Sequence, residues 1–77
     1  MALIQNFEQR PIEPKKVHDG VVCGYAAVDV DGRRIVQLET YGSAARAIPG
    51  KVSQTIQLDE ESARELIRIL RGAFPGI

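Results

Sequence analysis

The residues of this chain that could do chemistry are few and scattered. His18, Asp19 and Cys23 come nearest to a nucleophile with its base, since a thiolate needs a nearby imidazole to be reactive. The hairpin pattern described below puts Cys23 on an apolar face, where a free cysteine is expected to pack as a small hydrophobe. One histidine and one cysteine also fall short of the four ligands of a structural zinc site. Asp29-Val30-Asp31-Gly32 opens like a calcium loop, but its glycine comes two positions early and Arg33 and Arg34 follow. Gly50-Lys51 ends like a phosphate loop, yet Ala45 stands where the first glycine belongs and Val52 where Ser or Thr would meet magnesium. The carboxylates Glu60, Glu61 and Glu65 fit helix capping and the pairs Glu60 with Arg64 and Glu65 with Arg68 better than acid–base catalysis. The chain is therefore expected to be no enzyme, and no metal or cofactor is expected.

What remains is a rim of cations with polar and aromatic company. Arg33 and Arg34 fall at one hairpin tip, Arg46 and Lys51 around a long loop, and Lys15 and Lys16 on the N-terminal stretch. Gln37 and Tyr41 share a strand face between them. Cation, amide and stacking ring together are what single-stranded nucleic-acid sites use. The ten basic residues are matched by ten acidic ones, so no bulk positive field draws phosphate backbones in. Residues 10–58 hold seven basic against five acidic groups, a bias of two.

Those residues are positioned by a strand passing directly into a helix. Apolar and polar residues alternate from Val52 to Leu58, as in a half-buried strand. Asp59 is an N-cap, Glu60 and Glu61 complement the positive end of the helix dipole, and Ala63, Leu66, Ile67, Leu70, Ala73 and Phe74 recur at helical spacing. Gly72 and Pro75 stop the helix, which is expected over 60–71. Upstream, residues 21–30 and 34–41 read as strands joined at Asp31-Gly32, a two-residue hairpin signal. That turn pairs Val30 with Arg33, which sets Tyr25 against Leu38, Ala27 against Val36, Cys23 against Thr40 and Asp29 against Arg34, these four pairs on one largely apolar face. The helix is expected to cover Tyr25, Ala27, Val36 and Leu38, joined by Ile56 and Leu58. The mixed face opposite carries Val22, Gly24, Ala26, Val28, Ile35, Gln37, Glu39 and Tyr41, and is expected to stay open for a ligand or another subunit. Ile69 lies off the main apolar stripe, as a boundary core residue or a dimer contact.

Residues 1–19 are expected to form an extended arm, with Leu3, Ile4 and Phe7 able to make a short strand or helix and Pro11 and Pro14 breaking any element after them. Residues 20–77 form one domain. A 77-residue chain buries a thin core, and without disulfide or metal its remaining route to stability is a partner, so a homodimer is expected. A lone cysteine argues against secretion, residues 21–28 are too short to span a bilayer, and a cytoplasmic location with no membrane partner is the expectation.

Over residues 28–74 the order is strand, Asp31-Gly32 turn, strand ending Leu38-Glu39-Thr40-Tyr41, loop closing with Pro49-Gly50-Lys51, strand ending Ile56-Gln57-Leu58, then an acid-capped helix. This resembles the single-stranded-DNA-binding domain of the transcriptional positive coactivator family. The resemblance implies a homodimer of twisted four-stranded sheets, each backed by a C-terminal helix, that binds unpaired strands. It would give contact roles to Arg33, Arg34, Arg46 and Lys51, with Tyr41 as a stacking platform. Thr55 stands where that family usually has glycine, and Glu39 adds a negative charge to the implied binding face. The fold expected is α+β: an antiparallel sheet of three or four strands covered on one face by one C-terminal helix. The function expected is non-catalytic binding of single-stranded DNA or RNA through the mixed face and the 42–51 loop. The alternative is a dimeric module that binds another protein.

Overall fold

Asp31 and Gly32 take φ of 51° and 76°, the two positive values a type I′ turn needs, and this turn sets the hairpin. In the structure, a computed structural model that describes residues 1–42 and 51–77, β2 (Cys23–Val30) and β3 (Arg33–Tyr41) pair antiparallel. The register is the expected one, with Val30 opposite Arg33, Tyr25 opposite Leu38 and Cys23 opposite Thr40. The third segment, β4 (Val52–Leu58), lies antiparallel on the other side of β3, and α1 (Glu60–Ala73) follows it. A bulge on β4 lets Tyr41 pair with Val52 after Thr40 pairs with Gln54.

The fourth strand comes from the N-terminal stretch. β1 (Ala2–Ile4) runs parallel to β4, with Ile4 beside Leu58, so the sheet order is β1-β4-β3-β2 and the sheet is mixed, though mostly antiparallel. Of the two local forms open to Leu3 and Ile4, the strand is realised because β4 offers an unpaired edge. The arm thus begins inside the sheet. Beyond β1, Phe7 lies half-buried in a groove beside Ser62 and Glu65, and Ile69 borders the next groove with Arg10 and Ile12.

Asp59 starts the helix as anticipated. Ser62 donates its backbone N–H to Asp59 Oδ1 at 2.9 Å, and its own Oγ accepts the Asp59 N–H at 3.1 Å, a reciprocal cap. Ser62 is buried with 1% of its surface exposed. The ion pairs Glu60 with Arg64, at 3.8 Å, and Glu65 with Arg68 both form along the helix. The helix runs through Gly72 to Ala73, two residues past the expected end, and its cap residue Phe74 donates N–H to the Leu70 carbonyl.

The helix covers less of the apolar face than the pattern suggested. Its main contact with the sheet is to β4, and Ala63 shares a pocket with Val36 and Leu58. Among the described residues, Leu58 and Ile35 are the buried hydrophobic ones, at 7% and 6% exposure, while Val36, Leu38 and Ile56 are half-buried; Ile35 belongs by alternation to the mixed face, which is therefore closed at that position and not open along its whole length as expected. Tyr25, at 82% exposure, and Ala27 are open, which corrects the expectation that the helix lies on them. Cys23 is likewise exposed rather than packed. One cause explains all three: β2 is the far edge strand, two strands away from the β4 side where α1 sits. Among the described residues, no helix is long and apolar enough to cross a membrane.

Candidate functional site

The mixed face of the sheet is built by alternation. Gln37, Glu39 and Tyr41 on β3 meet Gly24, Ala26 and Val28 on β2 and Thr55 and Gln57 on β4. A shallow concavity of about 350 Å³ is lined here by Gly24, Tyr25, Ala26, Val28, Gln37, Glu39 and Tyr41. The aromatic ring is seated by a missing side chain: a Cβ on Gly24 would come within 2.9 Å of Tyr41 Oη and 3.3 Å of its ring carbon. Any larger residue at position 24 would lift Tyr41 off β2.

Beside that ring runs a chain of side-chain hydrogen bonds. Gln57 Nε2 donates to Gln37 Oε1 at 2.9 Å, and Gln37 Nε2 donates to Glu39 Oε2 at 2.8 Å. An ionised carboxylate only accepts, so Gln37 must turn its NH₂ toward Glu39, and its carbonyl oxygen is then left for Gln57. Glu39 makes no ion pair among the described residues. Gln57 was not singled out by sequence reasoning. Its face followed from alternation in β4, but its meeting with Gln37 depends on the β3–β4 register, which no turn signal specifies.

The expected cations are not gathered in one place. Lys51 is exposed and immediately precedes Val52, the partner of Tyr41, so it belongs to the ring's end of the sheet. Arg33 and Arg34 lie at the other end of β3, about 27 Å away at ordinary strand rise. Each already has a carboxylate: Arg33 reaches Asp59 Oδ2 at 3.4 Å and Arg34 reaches Asp29 Oδ2 at 3.3 Å. Alternation also puts Arg34 on the apolar face, opposite to Gln37 and Tyr41. Arg46, and the loop it belongs to between Gly42 and Lys51, lie outside the described residues.

The Arg33 contact ties the hairpin tip to the helix start. The Ser62 backbone N–H, then its hydroxyl, and more weakly the Arg33 guanidinium hold the Asp59 carboxyl below the usual carboxylate range. The hydrogen bond from Arg68 likewise lowers Glu65. Both act on helix structure, away from the concavity.

What the mixed face can do is hold a flat ring against Tyr41 and offer it amide and carboxylate groups, with Lys51 at the same end of the sheet. No protein-family model, curated protein or solved structure matches the chain.

Proposed function

We propose that this protein is a small, non-catalytic, homodimeric module that binds single-stranded nucleic acid on the mixed face of its sheet. The observation that carries the reading is the Tyr41 ring seated on Gly24 at the edge of a base-sized concavity, with Gln37, Glu39 and Gln57 inside reach of one another and Lys51 beside it. Base stacking on an aromatic ring, with nearby hydrogen-bonding groups and a cation for the backbone, is how unpaired strands are held. Binding should be modest. With Arg33 and Arg34 paired to carboxylates, Lys51 and Arg46 leave about two phosphate contacts per subunit, for a salt slope of roughly −1.4.

The dimer is supported by what a single chain leaves open. Ile67 and Leu70 on α1 are 50% and 37% exposed, Phe74 at its C-cap is 59% exposed, and Tyr25 stands free on the uncovered part of the apolar face. A second copy laying its helix and apolar face against these surfaces supplies the missing core. A cytoplasmic setting agrees with the single free cysteine.

Fluorescence anisotropy with a labelled dT20 strand at 50 and 200 mM salt tests the proposal. Micromolar binding is expected, weakened about five- to a hundredfold by Tyr41→Ala and made less salt-dependent by Lys51→Ala with Arg46→Ala. An unchanged anisotropy up to 100 µM protein, or binding indifferent to all three substitutions, rejects it. The second reading, a dimeric module for another protein, is favoured by the N-terminal stretch, where Ile12 and Val17 are 77% and 95% exposed. Specific capture of a protein partner, lost with Ile12→Asp and without nucleic acid, would replace the first reading.

A further inference from the structure

Glu39 is the residue of the mixed face that nucleic-acid binding by itself does not explain. Its negative charge sits two residues from the stacking ring, without an ion-pair partner among the described residues, where it repels phosphate. The surroundings nevertheless hold it in place. Gln57 fixes Gln37, and Gln37 fixes one carboxylate oxygen, Oε2, while the other, Oε1, accepts no hydrogen bond from a described residue. Gly24, directly across the strand from Glu39, leaves room for the Tyr41 ring to lie over it, so the ring and the carboxylate border the same concavity.

We infer that Glu39 reads the base held on Tyr41, and that the site prefers unpaired strands containing guanine; the inference rests on the proposed nucleic-acid binding and adds a base preference to it. Of the four bases, guanine alone presents two adjacent donors on its Watson–Crick edge, N1–H and the 2-amino group, a pair that meets the two oxygens of a carboxylate. Adenine and cytosine set a ring-nitrogen acceptor beside their amino group, which a carboxylate repels. Thymine and uracil offer one imino donor between two carbonyls. A charge-assisted bidentate contact is stronger than a neutral one and depends on geometry. Lys51 and the strand's backbone then lie toward the rim, and the carboxylate meets the base edge instead of a phosphate.

The test compares three labelled 15-mers by anisotropy at 50 and at 200 mM salt: repeats of thymine-thymine-guanine built with 7-deazaguanine to prevent quadruplexes, the same repeats with 7-deazahypoxanthine in its place, and dT15. 7-Deazahypoxanthine differs from 7-deazaguanine only in lacking the 2-amino group. Wild-type protein is expected to bind the guanine strand at least about fivefold more tightly than the other two, with a preference that holds between 50 and 200 mM salt. Glu39→Gln should reduce the preference below twofold by weakening the guanine strand relative to dT15. Gln37→Met, which frees the carboxylate from its anchor, should reduce it in part. Equal wild-type affinities for the three strands overturn the inference while leaving the nucleic-acid reading intact, and need no variant to fold. A guanine preference that survives Glu39→Gln also overturns it. Failure to bind any of the strands removes both.

Discussion

Leu58→Ala probes the small core most directly. The side chain is 93% withdrawn from solvent, in contact range of Ile4 through β1, Val36 through β3 and Ala63 on the helix. Removing its three outer carbons forfeits about 2.4 kcal/mol of transfer free energy at roughly 0.8 per methylene. A cavity cost adds to that, at about 24 cal/mol per Å³ of space that fails to close. Val36 and Ile56 are only half-buried and free to move in, so the residual cavity is small and the total is about 3 kcal/mol. Against roughly 4–12 kcal/mol for a domain of this length, that is a quarter or more of the stability. Urea denaturation followed by circular dichroism at 222 nm, at fixed protein concentration, measures it. A loss below about 1 kcal/mol with an unchanged denaturant slope would refute the packing argument. Tyr25→Ala is the counterpart. At 82% exposure its ring contributes within about 0.5 kcal/mol to an isolated chain. A cost that grows as the protein is diluted would instead report a second copy covering the ring, because stability gained through association depends on concentration.

Asp59→Asn keeps a capping oxygen but removes the charge. Because the Asp59 carboxyl is held below its unfolded value of about 3.9, its contribution is present above that pH and lost as pH falls through the lower folded value. Acid titration of the wild type should therefore show a loss of helix below about pH 4 that is shallower in the Asn variant, and superimposable curves would contradict this. Gly32→Ala forces a Cβ into φ of 76° and should destabilise the hairpin by about 1–2 kcal/mol in the same urea assay. Gly24→Ala pushes against Tyr41 Oη at 2.9 Å, so oligonucleotide affinity should fall in the direction of Tyr41→Ala with little loss of stability; unaltered affinity would show that the ring's seat is irrelevant.

Local chemistry made much of this protein legible in its residues. Asp31-Gly32 dictates a turn with positive φ, and a two-residue turn leaves one register for β2 and β3, so Tyr25 opposite Leu38 was readable without coordinates. The alternation in β4, the Asp59 cap and the helix pairs of Glu60 with Arg64 and Glu65 with Arg68 are likewise interactions within a few residues of sequence. Tertiary structure decided whatever depends on which strand neighbours which. It alone placed β1 parallel to β4, put β2 at the far edge with Tyr25 and Cys23 uncovered, tied Arg33 to Asp59, and lined up Gln57, Gln37 and Glu39 beside Tyr41. Periodicity says that a helix has an apolar stripe, but a stripe is satisfied by any apolar surface. Only the packed arrangement selects how much of the sheet it covers and which polar side chains are brought within hydrogen-bonding distance.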